Sequence, residues 1–314
     1  MTCSLAAAAQ QDRNLIVHYN DHTTTTINLT SVDSLTFEKQ KTGSPISVDL
    51  DIHETYVHIS LNCTDPSLQY YMSYLEKENY EQEYASDEEL TAADKLWMEE
   101  MAQSYGMTTK ELIPNYTYTG ANDEYQDCLL PGHEYILWVH GMDDEGNANT
   151  PVTKILFRTK PTTKISNTIA LKVEKVSDGV SVACTPDDKA RRYTLGSAAV
   201  ANMYDEFTGA KLGTRDYMQT GLSSALYDYL VEEGSLERYL ENATSTGDTN
   251  LTYKGLQDGE EYYIVAAYVD DEAGICSDIT QVKINSDGSV GETTMVKAPA
   301  RLTGNTVKRH VMRK

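Results

Sequence analysis

The chain has 314 residues, and its 26 Lys and Arg against 48 Asp and Glu give a formal net charge of -22 at pH 7. Six of the cations (Lys297, Arg301, Lys308, Arg309, Arg313, Lys314) stand after residue 296, and without them the charge falls from -22 to -28, which argues against nucleic acid or an anionic membrane as a partner. The length suits about two domains, no apolar run reaches the ~18 residues of a membrane-spanning helix, and 22 Tyr against 3 Phe and 2 Trp favours half-wet sheets over a helical bundle.

Residues 1–10 end in a small-residue Ala-x-Ala pattern. They read as the truncated remnant of a secretory signal peptide, which implies export. Residues 11–43 read as an N-terminal β-hairpin segment. Leu15 to Tyr19 and Thr23 to Leu29 are its strands, Asn20-Asp21-His22 is its turn, and Val32 to Phe37 is a return segment.

Residues 44–160 form a first domain. Ile46 to Leu50 and Val57 to Leu61 alternate with period two, and a third strand runs from Leu68 to Leu75. Glu76 to Tyr84 reads as a solvated connection in which acids alternate with tyrosines. The period then changes over an α-helical insert, 86–114. Ser86 and Glu89 form a capping box, Leu90, Ala93, Trp97, Met101 and Tyr105 make an apolar stripe, and Gly106 ends the helix. A second capping box at Thr108 and Glu111 opens a short helix stopped by Pro114. Strands resume at Tyr116, Tyr125, Tyr135 to Gly141 and Thr153 to Arg158. The linker Thr159 to Lys164 is short and contains Pro161, so the two halves should be stiffly related.

Residues 165–286 repeat this programme as a second domain with its own insert, 216–243. Cys184-Thr185 matches Cys63-Thr64, Thr246-Gly247 matches Thr119-Gly120, and Tyr262 matches Tyr135. Leu222, Ala225, Leu226, Tyr229 and Leu230 make the helical stripe, Gly234 stops it, and Ser235 caps the next helix. Residues 287–314 read as a flexible basic tail.

Seven short strands per repeat predict a mainly β fold of two tandem β-sandwiches. Leu130-Pro131-Gly132-His133-Glu134-Tyr135 and Leu256-Gln257-Asp258-Gly259-Glu260-Glu261-Tyr262 resemble the fibronectin type III hallmark. There a Tyr covers the core edge and its hydroxyl ties the crossing loop. The helix, Gly, short helix and Thr-Gly insert resembles fibronectin-type domains in exported and surface proteins of gut and oral Bacteroidota, and residues 15–37 are similar to a segment that often opens such proteins. The resemblance implies an exported, cell-surface protein, with outer-membrane attachment as one form of it. It brings no catalytic residues.

Several clusters of polar side chains have residue types that carry chemistry elsewhere. Asp143 to Asn147 and Asp270 to Glu272 could ligate calcium, but their spacing is not that of an EF-hand, and acidic hairpin turns are the simpler reading. His18, His22, His53, His58, His133, His140 and His310 show no paired metal-ligand spacing and read as surface or strand-edge residues. A triad built on His140 and Asp143 can be drawn on paper, as in any chain of this size. Cys3, Cys63, Cys128, Cys184 and Cys276 include no C-x-x-C pair, and buried thiols and disulfides both stay open.

The expected function is therefore a non-catalytic exported binding or adhesion module for a protein or glycan ligand. No catalytic, cofactor-binding or metal residues are expected. A structural or assembly component of an envelope complex and an accessory protein of a hydrolase system are the alternatives. A binding surface is expected along Ser86 to Tyr118 and Asp216 to Ser245 rather than at the acidic turns.

Overall fold

A computed structural model of the chain describes residues 14–18, 24–28, 43–204 and 211–298. Residues 1–42 form one compact unit and 43–314 another. In the first, β1 (Asn14–His18) pairs antiparallel with β2 (Thr24–Asn28). The leader 1–10 and the return segment at Val32 to Phe37 lie outside the described residues.

The second unit is built from antiparallel sheets. β3 (Ile46–Ile52), β4 (Val57–Cys63) and β7 (Asn122–Gln126) make a three-stranded sheet in that order. β6 (Tyr118–Thr119), β5 (Gln69–Glu76), β8 (Glu134–Gly141) and β9 (Thr153–Arg158) make a four-stranded one. Both give residues to one apolar core: Val57, Ile59 and Leu61 from the first, and Tyr70, Met72, Leu137 and Val139 from the second. Period-two alternation thus sends one face of each strand inward.

The second half repeats the plan. β10 (Ile169–Val176), β11 (Gly179–Pro186) and β13 (Thr249–Lys254) form three strands. β12 (Tyr193–Ala199), β14 (Tyr262–Tyr268), β15 (Ile279–Ile284) and β16 (Val290–Val296) form four. Val180, Val182, Ile264 and Val282 meet in its core. β16 corrects the expectation of a tail from residue 287. The turn Asn285 to Ser289, in which Gly288 has φ +73°, folds the chain back onto β15. Ala298 N–H then donates to Asp278 (2.8 Å), whose carboxylate also binds Lys164 and Lys297.

In both repeats the tyrosine that opens the central strand closes the loop before it. Tyr135 Oη accepts Leu130 N–H (2.8 Å), and Tyr262 Oη accepts Gln257 N–H (3.0 Å). The next contact also recurs: Gly132 N–H donates to Lys160 C=O (3.1 Å), and Gly259 N–H donates to Ser286 C=O (3.2 Å).

Helices cover the outer face of the first four-stranded sheet. That is why Tyr70 to Leu75 is buried along its whole length, Ser73 included: both faces of β5 are covered. The expected solvated connection is instead α1 (Lys77–Glu83), whose Tyr80 is buried against Trp138. α2 (Asp87–Tyr105) starts on the Ser86 cap, with Glu89 reaching back to Ala85 N–H (2.8 Å), and ends at Gly106 with φ +67°. α3 (Thr109–Leu112) has the complete Thr108–Glu111 capping box.

The buried row of α2 is Leu90, Asp94, Met98 and Ala102, which shares only Leu90 with the expected stripe; Tyr105 is 60% exposed. The shift has a polar cause. Asp94 is buried on the sheet face, where Oδ2 accepts Trp138 Nε1–H (3.0 Å) and lies 3.0 Å from His140 Nε2. His140 Nδ1 lies 3.1 Å from Gly141 C=O. His140 is thus fully buried, against the surface expectation, and its carboxylate partner is Asp94 rather than Asp143.

The second insert comprises α4 (Thr214–Ser223), α5 (Leu226–Asp228), one π-helical turn at Tyr229–Glu233, and α6 (Leu236–Ala243). Gly234 ends the first part at φ +62°, and Ser235 caps α6 through Arg238 N–H (3.2 Å). Cys63, Cys184 and Cys276 are buried free thiols.

Because Asp94 is buried and joins helix to sheet through Trp138 and His140, Asp94→Ala should cost about 3–5 kcal/mol. Asp94→Asn, which keeps an acceptor for Trp138, should cost less. Urea denaturation followed by tryptophan fluorescence checks both, and equal midpoints for wild type and Asp94→Ala would contradict the anchor.

Candidate functional site

Two acidic turns stand at equivalent places and are built alike. Asp143 Oδ1 accepts N–H groups from Glu145 (3.0 Å) and Asn147 (2.8 Å). Asp270 Oδ1 accepts them from Glu272 (3.0 Å) and Gly274 (2.9 Å). Each leading carboxylate therefore holds its own turn together. Among the described residues, no group of three or more His, Cys, Asp or Glu is arranged to hold a metal ion.

The surroundings of the two turns differ. The first faces lysines of its own insert: Lys95 Nζ donates to Asn147 Oδ1 (2.7 Å), and Lys110 pairs with Asp144 (2.8 Å). The second is pressed against the first sandwich. Glu54 N–H donates to Glu272 Oε2 (2.9 Å), the Thr55 hydroxyl donates to Glu272 C=O (2.9 Å), and Lys160 Nζ reaches Glu272 Oε1 (3.2 Å). From the linker, Thr162 donates to Glu54 Oε2 (2.7 Å), and Lys160 N–H donates to His53 C=O (3.1 Å).

The Glu54 carboxyl faces that of Asp270 beside Gly274. Burial, with the charges of Asp270 and Glu272 adding to it, pushes Glu54 up to about 8 despite the Thr162 hydrogen bond; burial raises Asp270 as well. Gly274 leaves the room these groups need, since a Cβ there would lie 2.3 Å from Glu54 Oε2 and 2.6 Å from Thr162 Oγ1.

The same joint holds the two non-glycine residues of positive φ among the described ones, Cys128 (+59°) and Ala273 (+63°). Ala273 stands where the first turn has Gly146 (+82°). Its left-handed conformation costs about 1–2 kcal/mol. Burying its methyl group among Tyr56, Leu222, Leu226 and Ile275 offsets much of that.

The second insert acts as a splint. On its own side, Gln219 donates to Ala273 C=O (2.9 Å) and accepts Ile275 N–H (2.8 Å), while Arg215 donates to the carbonyls of Ile275 (3.1 Å) and Ser277 (2.5 Å). On the other side, Tyr227 N–H donates to the Asp127 carboxylate (3.0 Å). Tyr56 of the first sandwich is buried in the insert's apolar cluster, with Tyr125 packed against it. Between Leu129, Leu130 and Tyr135 and the facing Leu212 and Asp216, the gap is about 10 Å³, room for one water at most.

Of the two inserts expected to bind, the second is thus largely consumed by the joint. The first keeps a half-open flank. Trp97, Met101 and Tyr105 recur every four residues on α2, and Tyr116 lies beside them. Trp97 and Tyr116 meet edge to face at 5.2 Å, and Tyr105 hydrogen-bonds Tyr116. Trp97 and Met101 are only partly buried. The flank therefore offers aromatic faces, a thioether and a phenol, but no nucleophile–base pair.

No protein-family model matches the chain, and it has no match among curated proteins.

The raised Glu54 carboxyl makes the joint pH-dependent. A carboxyl raised on folding contributes stability that is fully present below its unfolded value of 4.5 and lost as pH rises through about 8. The melting temperature should therefore fall between about pH 5 and pH 8.5. Glu54→Gln, a neutral isostere, should flatten that fall; an unchanged profile in the variant would refute the assignment. Separately, Gly274→Ala should cost about 1–3 kcal/mol by forcing the carboxyls apart, and calorimetry at pH 6 would show it.

Proposed function

We propose that the chain is an exported, cell-surface binding or adhesion protein, made of two tandem fibronectin type III-like sandwiches with helical inserts, and resembling surface proteins of Bacteroidota. Its ligand is a protein or glycan engaged by the open flank of the first insert. The observation that carries this reading is the row Trp97, Met101, Tyr105 and Tyr116, left partly exposed on a helix that Asp94 otherwise fixes to its sheet. Large aromatic and thioether groups on a rigid frame give contact area at low entropic cost and dominate many interfaces. The joint supports the same reading, because it holds both sandwiches at one angle and presents the flank from a stiff body.

The open flank is also what an assembly component would present, so that alternative shares the observation, while the helices of the second insert are covered by both sandwiches. The hydrolase-accessory alternative finds no supporting observation at the flank.

The test is a glycan array together with a pull-down from the native cell envelope, using wild type and Tyr105→Ala. Specific retention should be seen in one of the two assays and should fall about tenfold or more in the variant, with the melting temperature changed by less than about 2 °C. Silence of the wild type in both assays, or equal retention by the variant, would overturn the proposal.

A further inference from the structure

The two sandwiches expose equivalent ends, and only one is filled. In the first, the end formed by the β3–β4 turn, the loop before Tyr135 and the segment after β9 receives the acidic turn of the second. The equivalent end of the second sandwich is an open cleft of about 410 Å³. Its walls are the β10–β11 turn, the loop Gly255 to Glu260 and the turn Ile284 to Gly288. The equivalence rests on the two tyrosine ties and on the two glycine N–H bonds described above.

What would fill this cleft is not another acidic turn. Asp178, Asp258, Glu260 and Asp287 line it against Lys175, with Lys254 paired to Asp178 (2.9 Å) from beside it, so acids still outnumber cations. The Lys175 ammonium already donates to Asp287 C=O (3.2 Å). At the filled end, by contrast, the incoming Glu272 meets backbone N–H, hydroxyl and lysine donors. The open cleft therefore selects a cationic occupant.

The chain carries one. Beyond the described residues, 299–314 contain Arg301, Lys308, Arg309, Arg313 and Lys314 and no acid. Ala298 is fixed at Asp278, just before β15, while the cleft lies at the other end of that strand. Six strand residues cover roughly 20 Å. The ten residues from Ala298 to Lys308 span at most about 36 Å, so the first part of the basic segment reaches the cleft.

We propose that the basic segment 299–314 docks in the acidic cleft between the β10–β11 turn and the loops at Gly255 to Glu260 and Ile284 to Gly288 of the same chain. The contact caps the end of the second sandwich that corresponds to the joint. It is electrostatic and weakens as salt rises.

The test is zero-length carbodiimide cross-linking of the full chain, read by mass spectrometry on an equal mixture of isotopically light and heavy protein. The pair Lys283–Glu261, 2.6 Å apart, serves as the internal control. Lys308 or Lys314 should link to Asp258, Glu260, Asp178 or Asp287 within one isotopic chain. Those links should fall at least fivefold in Asp258→Lys and in about 0.5 M salt, while the control link holds in Asp258→Lys. Links only to carboxylates outside the cleft, links that are mainly light-to-heavy and so place a second copy's segment there, or yields unchanged by Asp258→Lys would each overturn the proposal.

Discussion

The second half of this molecule is set against the first by two carboxyl groups buried side by side. Glu54 and Asp270 meet where Gly274 leaves no room for a side chain, and burial raises both carboxyls. Around that point Glu272 accepts from Glu54 N–H and Lys160, and its carbonyl accepts from Thr55. Lose the register of the turn and all of these partners are lost together. The splint of the second insert depends on the same register, because Gln219 and Arg215 hold the loop that presents the turn.

The duplication shows how one structural programme is put to two uses. Both repeats keep the tyrosine tie, the cap-and-stop residues of the insert and the Asx-type acidic turn. They part at a few positions. Gly146 becomes Ala273, which accepts backbone strain in return for a buried methyl group. The first insert is anchored by a buried carboxylate; the second is anchored by an arginine and an amide that bind backbone carbonyls. The first insert therefore keeps a free flank, whereas the second is enclosed between sandwiches.

Much of this was legible in the chain because it is local. Alternation marked the strands, and Ser86, Gly106, Thr108, Gly234 and Ser235 marked helix ends where they occur. What could not be read depends on distant partners. Asp94 interrupts an apolar row, so pattern alone passed over it; its role rests on Trp138 and His140, 44 and 46 residues away. α1 was hidden by its acids, because the burial of Tyr80 against Trp138 decides it. β16 was hidden by a polar composition that suits an exposed edge strand as well as a tail. The joint pairs Glu54 with Glu272, 218 residues apart, and no spacing rule links them.

The joint makes the two sandwiches one cooperative body, and tryptophan placement allows a direct test. Trp97 and Trp138 both report on the first sandwich, while Ile264 lies fully buried in the core of the second. Truncating Ile264 to Ala should cost about 2–5 kcal/mol. If the account holds, the urea midpoint read from tryptophan fluorescence shifts by the same amount as that read from circular dichroism, although the substitution lies in the other sandwich. A tryptophan curve that stays at the wild-type midpoint while the dichroism curve moves would show that the sandwiches unfold independently, and would contradict the account.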